Sequence, residues 1–203
     1  MAYASWLTPS KVSGSGNDTV NVSASVYTGR TPRSTSVTFG AANCADVVRT
    51  VNQSGKPEFV SFDSATATVG KAGGTVTITG KSNSSKLTFS LGSGGTLNLT
   101  LPSTYTANSA QTDNGVAITG DPGANEEYAF SIIFSDIAAN TTIDALTKQL
   151  IVTDNAGNTA TCTVSQAAGD PTLSVSPEAV TIPWDASESK SFTVTSNTSW
   201  TVA

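Results

Sequence analysis

Apolar and polar residues alternate along most of this chain, in short runs that are separated by turn sequences. The clearest run, EYAFSIIF, places an apolar residue at every second position: Tyr128, Phe130, Ile132 and Phe134. A period of two is typical of strands with one buried face. The intervening sequences, such as GKAGG, GDPGAN and DNAGN, are rich in Gly, Asn and Asp, which favour chain reversals. Short strands joined by such turns predict an all-β fold of the sandwich type.

Both ends of the chain carry the same pattern. DTVNVSASV would place four residues on one strand face: Val20, Val22, Ala24 and Val26. The other predicted strands are STSVTF, ADVVRTV, GTVTITG, KLTFSL, TLNLTL, GVAIT, QLIVT and TATCTV, followed near the C-terminus by TLSV, AVTI and SFTVT. ANTTIDALTK, residues 139–148, is the one segment whose pattern is compatible with a helical turn.

A sequence repeat divides the chain. VNQSGKPEFVSF returns later as VSQAAGDPTLSV. Gln53 thus corresponds to Gln166, 113 positions later, and Asn83 of the SNSS turn corresponds to Asn197, 114 positions later. A fixed period of this length indicates tandem modules.

We therefore expect tandem immunoglobulin-like β-sandwiches, with the terminal sandwich split between the two ends of the chain. Residues 57–167 would form a complete module, residues 1–53 half of another, and residues 170–203 the front half of a further one. The linkers at 54–57 and 167–171 are short and end in Pro, which predicts stiff connections.

The split has a consequence for assembly, because half a sandwich exposes core side chains and unpaired edge groups. We expect residues 170–203 of one chain to complete residues 1–53 of a neighbouring chain, which gives a head-to-tail homo-oligomer. The inter-subunit interface would contain Trp6, Val20, Val22, Phe192, Val194 and Trp200. Two alternatives stay open: the C-terminal segment folds back onto its own chain, or it begins a longer region that follows Ala203.

Composition argues against several classes of function. The chain has 10 Lys and Arg against 15 Asp and Glu, a net charge of −5 and no basic cluster, so we expect no nucleic-acid partner. It contains no His, the commonest general base and metal ligand. We therefore expect no enzyme activity, no catalytic residues, no metal site and no cofactor. The sequence also offers no apolar stretch long enough to cross a membrane.

Three smaller features have simple structural interpretations. Four acids are candidates for the carboxylate pair of a glycosidase, but they are expected to be solvated loop acids: Asp121, Glu126, Glu127 and Asp136. TDNAGNT is predicted to be a hairpin turn rather than a calcium loop, because it does not fit an EF-hand. Cys44 and Cys162 occupy different modules and are expected to be unpaired, small buried hydrophobes.

Aromatic residues near turns are the candidate carbohydrate-binding residues, because an exposed ring stacks on the apolar face of a sugar. These residues are Tyr27, Tyr105 and Trp184. The alternative for each is a core or interface aromatic, which a sandwich needs in any case.

The N-terminal segment SWLTPSKVSGSGNDTVNVSAS has a Trp at Trp6 and a Gly-rich turn at Gly14 and Gly16. Further on, Arg33 opens a strand, and the segment closes on Val-x-Gln at Gln53. These features resemble the second half of a BACON module, an immunoglobulin-like repeat of gut bacteria and their phages.

The C-terminal segment PTLSVSPEAVTIPWDASESKSFTVTSNTSWTV is similar to the front half of such a module and ends near a characteristic Trp, here Trp200. Residues 57–167 keep the opening and closing motifs. They depart from the pattern at Leu87, which replaces the first Trp, and in an insertion around 100–127.

The resemblance implies the fold and, through the family's name, carbohydrate binding, although many members act as spacers. We expect a structural virion protein, a capsid auxiliary, decoration or head-fibre-associated protein of a tailed phage. It would contact other capsid proteins and adhere to host or mucus glycans through many weak contacts. The start of the chain lacks the pattern of a secretory signal. The alternative is a carbohydrate-binding or spacer module of a secreted or cell-surface bacterial glycan-degrading protein.

Overall fold

The computed structural model describes residues 3–121 and 126–203. Every regular element in these residues is a β-strand, so the all-β prediction is confirmed. In chain order the strands are β1 Leu7–Pro9, β2 Val22–Ala24, β3 Arg33–Phe39, β4 Val47–Gln53, β5 Val60–Phe62, β6 Thr66–Val69, β7 Gly74–Ser82, β8 Leu87–Gly95, β9 Thr104–Ala107, β10 Ala110–Asp113, β11 Tyr128–Ile137, β12 Leu146–Asp154, β13 Thr159–Gln166, β14 Leu173–Ser176 and β15 Thr193–Ser196.

Residues 57–167 contain two sheets, which we call the central sandwich. One sheet has five strands in the order β10-β9-β11-β7-β5, and the other has four in the order β6-β13-β12-β8. Hydrogen-bonded neighbours are antiparallel, except that β6 runs parallel to β13. Two facing sheets of short strands are consistent with an immunoglobulin-like sandwich.

The core of the central sandwich comes from the alternation seen in the sequence. Every second residue of β11 from Tyr128 to Phe134 is buried, while Ala129, Ile133 and Ser135 are outward and exposed. The largest fully buried side chains include Phe89, Phe134, Leu87, Ile132 and Leu150. Burying one such side chain contributes about 1.5–3 kcal/mol, so these facing rows hold the two sheets together.

The chain on either side is organised differently. Residues 3–54, the N-terminal unit, contain two two-stranded sheets, β1-β2 and β3-β4, and residues 170–203, the C-terminal unit, contain the β14-β15 pair. Among the described residues, the main cluster of buried apolar side chains extends from Val60 to Val164 and includes no residue of either terminal unit. The two terminal units therefore lack the continuous apolar interior that the central sandwich has.

The strand registers repeat along with the sequence. In the β3-β4 ladder Arg33 lies opposite Gln53, and in the β12-β13 ladder Leu146 lies opposite Gln166, each position shifted by 113. The β14-β15 ladder matches the β5-β7 ladder in the same way. Whether the terminal units are two halves of one sandwich stays a prediction.

Two predicted strands of the central sandwich are irregular, although their apolar residues are buried. In TLNLTL, Leu97 and Leu99 are 4% and 8% exposed, but the segment follows the end of β8 and lies outside the named sheets. In GVAIT, only Ala117 forms an isolated bridge, to Lys86. Alternating apolar residues thus report a buried face, whereas a strand also needs a neighbour along its edge.

The segment 139–148 is not helical. The Asn140 side chain donates to the backbone oxygens of Asp144 and Ala167, at 2.7 and 3.0 Å, which fixes an irregular loop. Residues 146–148 belong to β12. An Asn side chain that hydrogen-bonds to nearby backbone groups competes with helix formation, and in this segment these bonds replace the helical ones.

The insertion forms extra sheet. β9 and β10 make a hairpin that extends the five-stranded sheet at its edge, next to β11. The predicted GDPGAN turn falls partly on residues 122–125, which lie outside the described residues. The added hairpin places Tyr105 in the core rather than in a surface loop.

Candidate interaction surfaces

An open groove of about 390 Å³ lies on the N-terminal unit. It runs between the loop that joins β1 to β2 and the strand β3. Its apolar lining includes Pro9, Val12, Val20, Val37 and Phe39. Val12 and Phe39 are 78% and 43% exposed, whereas Val37 is 8% exposed at the base. This surface, the N-terminal groove, has an apolar floor that solvent reaches.

The two charged residues that line the groove, Lys11 and Asp18, are paired with each other. Lys11 and Asp18 form an ion pair of 2.7 Å across the β1-β2 loop. The Lys11 ammonium and the Thr19 amide hold the pKa of the Asp18 carboxyl below its usual value. The ion pair therefore links the two ends of the β1-β2 loop. The apolar residues of the groove are the part of this surface that is open to contact with a partner.

Another part of the N-terminal unit carries a stacked cation, the Arg33 stack. The Arg33 guanidinium lies 4.5 Å from the Trp6 ring and 4.2 Å from the Tyr27 ring. Its Nε donates to Gln53 Oε1 at 2.9 Å, and Gln53 Nε2 donates to the backbone oxygen of Ser25 at 2.8 Å. A cation between two rings stabilises the pair without an apolar core. This arrangement could not be predicted from local spacing, because only the fold brings the three residues together.

The C-terminal unit exposes a second apolar surface, the C-terminal face. It encloses about 240 Å³ and is lined by Leu173, Val175, Phe192, Val194, Trp200, Thr201 and Val202. Phe192 and Trp200 are 51% and 49% exposed, and Val202 is 86% exposed. A contiguous apolar patch of this kind typically marks an interaction site.

Most of the predicted interface residues line these surfaces. Val20 borders the N-terminal groove, and Phe192, Val194 and Trp200 line the C-terminal face. Val22 lies on β2 and is 44% exposed. Trp6 is partly buried and contacts Arg33 in the Arg33 stack, and its place in an inter-subunit interface stays a prediction.

The three predicted sugar platforms have different environments. Trp184 is 98% exposed, and one face of Tyr27 is covered by Arg33 while its hydroxyl donates to the Thr31 backbone at 2.9 Å. The prediction for Tyr105 is wrong. Its ring is 3% exposed and packs against Phe89 at a centroid distance of 4.8 Å, and burial raises the pKa of Tyr105 to about 12.

The predicted loop acids divide into two groups. Glu126, Glu127 and Asp136 are exposed, as expected. Asp121 is partly buried and pairs with Arg30 of the N-terminal unit at 2.7 Å, so its carboxylate has a structural partner.

TDNAGNT is the hairpin turn between β12 and β13, as predicted. Asp154 is 4% exposed and accepts hydrogen bonds from the backbone and side-chain N–H groups of Asn158, both at 2.8 Å. Its carboxylate is therefore bonded within the turn itself. Within the described ranges, no group of three or more Cys, Asp or Glu side chains is placed to hold a metal ion.

The cysteines are unpaired, as predicted, but only one is buried. Cys162 is fully enclosed in the core, where burial raises the pKa of its thiol, whereas Cys44 is exposed in the loop before β4. Cys44 does not act as a core hydrophobe.

Across 3–121 and 126–203, no helix has the length and hydrophobicity needed to cross a membrane.

Comparison with known proteins identifies a family that the N-terminal residues resemble. No curated protein is similar enough to the chain to count as a match. Residues 1–54, which include both the groove and the Arg33 stack, match the family model described as "BACON: Putative binding domain, N-terminal". The N-terminal part of this chain is therefore similar to BACON-type modules, the family that this model describes.

Proposed function

We propose that this chain is a structural protein that assembles head to tail, the C-terminal unit of one copy completing the N-terminal unit of the next. The observation that carries the proposal is the pair of exposed apolar surfaces at opposite ends of the sequence. Each belongs to a unit whose strands have counterparts in the central sandwich, and together the two units supply complementary sets of strands.

The central sandwich indicates how the two units would pair. There β6 runs parallel to β13, with Thr66 opposite Thr163. The counterparts of β6 and β13 are residues 179–182 and the second half of β4. Residues 179–182 were predicted to form a strand, yet they are irregular in the structure. A strand next to β4 would give them the hydrogen-bond partners that β13 gives to β6.

The second sheet leads to the same arrangement. In the central sandwich residues 79–82 of β7 pair with residues 128–131 of β11, and their counterparts are β15 and residues 15–18. Residues 15–18 are exposed, and Ser15, Gly16 and Asp18 line the N-terminal groove. With β15 beside residues 15–18, Phe192 of one copy would face the N-terminal groove of the next. The groove floor at Val37 and Phe39 would then lose its contact with water.

The energetics favour such a contact. Each large apolar side chain that becomes fully buried contributes about 1.5–3 kcal/mol, and the C-terminal face carries several that are about half exposed or more. Strand addition also pairs edge N–H and C=O groups that water otherwise satisfies. Because the two surfaces differ, the contact is heterologous and repeats from copy to copy.

We place this assembly on the surface of a phage capsid, with other capsid proteins as neighbours. The support is the resemblance of the terminal segments to modules found in gut bacteria and their phages. Decoration by many copies would also give weak glycan contacts a useful avidity. The chain would then act as a scaffold, with no reaction of its own.

Light scattering of the full chain over a range of concentrations tests the assembly. We expect masses above the 20.6 kDa monomer that grow with concentration. Phe192→Asp should leave a monomer, because a charge would be buried without a partner. Val116→Asp is the matched control, since Val116 is 48% exposed outside both surfaces and should leave assembly unchanged. A wild-type monomer at every concentration would overturn the proposal.

A disulfide cross-link distinguishes the partner. By analogy with Thr66 and Thr163, Ala179 of one copy should lie opposite Thr50 of the next. In a Cys44→Ser background, Thr50→Cys with Ala179→Cys should give a ladder of covalent multimers on oxidation. A cross-linked monomer would mean that the unit folds back onto its own chain, and the head-to-tail proposal would fail.

A second candidate function is glycan binding, by the N-terminal module or by the loop of the C-terminal unit that carries Trp184. It is favoured by the description of the matching family as a binding domain and by the 98% exposure of Trp184. Binding of the chain to a glycan array tests it. Trp184→Ala should abolish the signal if this ring is the platform, and Trp184→Phe should retain part of it. A signal that Trp184→Ala leaves unchanged excludes this ring.

A further inference from the structure

The boundary between the N-terminal unit and the central sandwich is a network of hydrogen bonds, the first junction. Asn83 is fully buried there. Its Nδ2 donates to the backbone oxygen of Thr28 at 3.2 Å, and its Oδ1 accepts from the Phe59 amide at 3.0 Å. The Lys56 amide donates to the backbone oxygen of Gly29 at 2.8 Å. The linker is thus bonded to the loop of the preceding unit.

The boundary between the central sandwich and the C-terminal unit, the second junction, has the same bonds at shifted positions. Asn197 Nδ2 donates to the backbone oxygen of Thr141 at 2.8 Å, and its Oδ1 accepts from the Thr172 amide at 2.8 Å. The Gly169 amide donates to the backbone oxygen of Thr142 at 2.7 Å. Each partner lies 113 or 114 positions after its counterpart at the first junction.

The glutamine that precedes each linker adds a further matching bond. Gln53 Nε2 donates to the backbone oxygen of Ser25 at 2.8 Å, and Gln166 Nε2 donates to the backbone oxygen of Ala138 at 2.8 Å. Both donors and both acceptors are 113 positions apart. Each glutamine therefore fixes the loop, beginning at Ser25 or at Ala138, whose later residues contact the next unit.

Close backbone packing requires a glycine in each linker. A Cβ on Gly55 would lie 2.2 Å from the backbone oxygen of Arg30, and a Cβ on Gly169 would lie 2.3 Å from that of Asn140. Neither position has room for a side chain without a shift of the neighbouring loop. Both linkers are therefore seated against the unit that precedes them.

We propose that the junction is a docking surface for one kind of partner, a following module that opens with a short linker and a Ser-Asn-Ser or Ser-Asn-Thr turn. Two loops of backbone oxygens present this surface, one at Thr28 and Gly29 and the other at Thr141 and Thr142. Because the bonds are the same at both places, each junction sets the same orientation between successive modules. Tandem modules of this chain then follow one another by a constant rotation and translation, whether or not copies assemble.

Hydrogen exchange of the dilute, monomeric chain tests the proposal by NMR. The amides of Lys56 and Gly169 should exchange at least about tenfold more slowly than those of an unstructured linker. Asn197→Asp keeps the acceptor for Thr172 and loses the donor to Thr141. The Gly169 amide should therefore exchange about fivefold to tenfold faster than in the wild type, while the exchange rate of the Lys56 amide stays unchanged. Asn197→Ala should give the same loss without added charge.

The exposed residue Asn98, outside both junctions, provides the matched control, and Asn98→Asp should alter neither amide. Residual dipolar couplings supply the orientation: one alignment tensor should fit the N-terminal unit and the central sandwich together. Free-peptide exchange at Lys56 and Gly169 in the wild type, or a need for separate tensors, would overturn the proposal. Both measurements use the monomer, so their outcome does not depend on assembly.

Discussion

Equivalent positions of the central sandwich and the C-terminal unit differ sharply in exposure. Val69 is 6% exposed, whereas Ile182, its counterpart 113 positions later, is 56% exposed. Ile78 is 4% exposed, and its counterpart Phe192 is 51% exposed. The apolar character of the positions is the same, so the difference arises from what covers them. In the central sandwich a second sheet lies over these residues, and in the C-terminal unit solvent does.

The N-terminal unit is intermediate between these two regions in the exposure of its apolar residues. Leu7 and Val37 are 3% and 8% exposed, but Phe39 is 43% exposed where its counterpart Val152 is fully buried. The Arg33 stack supplies on one side the cohesion that an apolar core supplies in the central sandwich. A unit of this kind is ordered locally and retains a surface that a second sheet would cover.

The largest effect should come from truncating the matched pair Ile78 and Phe192. Ile78→Ala should lower the free energy of unfolding of the central sandwich by about 2–5 kcal/mol, because it leaves a cavity. Phe192→Ala should change the free energy of unfolding of the dilute monomer by less than about 1 kcal/mol, since the ring is half exposed. Urea denaturation followed by circular dichroism measures both. Equal losses would mean that Phe192 is already covered in the monomer.

Alkaline pH should act on the central sandwich through Tyr105. Burial raises its pKa to about 12, so the folded state holds the phenolic proton more tightly than the unfolded chain, whose value is near 10. The corresponding stability is complete below pH 10 and is lost as the pH rises from about 10 to about 12, a change of up to about 2–3 kcal/mol. Tyr105→Phe should make this part of the pH profile less steep, and the remaining slope should come from Tyr128, whose pKa burial also raises. Urea denaturation across this pH range compares the two proteins, and an equal loss of stability in Tyr105→Phe and the wild type would contradict the prediction.

Much of the fold follows from the alternation of apolar residues. The pattern located the strands of the central sandwich because their inward residues, such as Phe130 and Val152, are buried by facing sheets. It failed at 96–101 and 179–182, where apolar alternation is present but no ladder of backbone hydrogen bonds forms with a neighbouring strand. Periodicity reports a buried face, and it carries no information on the edge partner that makes a ladder.

The candidate surfaces were only partly predictable. The repeat indicated that Phe192, Val194 and Trp200 would be left uncovered, and these residues do line the C-terminal face. Tyr105 was misjudged because the insertion that carries it forms a hairpin on the core instead of a loop. The Arg33 stack was not foreseen, since its rings are distant in sequence and no local spacing brings them together.

The Arg33 stack gives a smaller effect in the N-terminal unit. Arg33→Lys keeps the charge and loses both the planar stacking surface and the donor to Gln53. We expect the N-terminal unit to lose about 1–2 kcal/mol. The Trp6 indole resonance in NMR spectra should shift, while signals of the central sandwich stay in place. A loss of stability in the central sandwich as well would show that the two units unfold together.

The smallest effect should come from the more exposed of the two ion pairs at the junctions. At the first junction the side chains of Arg30 and Asp121 are 16% and 26% exposed, and Arg30 also donates to the backbone oxygen of Asn83 at 2.7 Å. At the second junction Lys71 and Asp170 are 55% and 72% exposed.

Asp170→Asn should therefore change the free energy of unfolding by less than about 0.5 kcal/mol, and 0.5 M salt should remove the difference. Arg30→Met should cost more, about 1–2 kcal/mol, because it also leaves a carbonyl oxygen without its donor. Thermal unfolding at low and high salt compares the two variants directly. If Asp170→Asn were the more damaging change, the second junction would depend on this charge pair rather than on Asn197, and the equivalence of the two junctions would not hold.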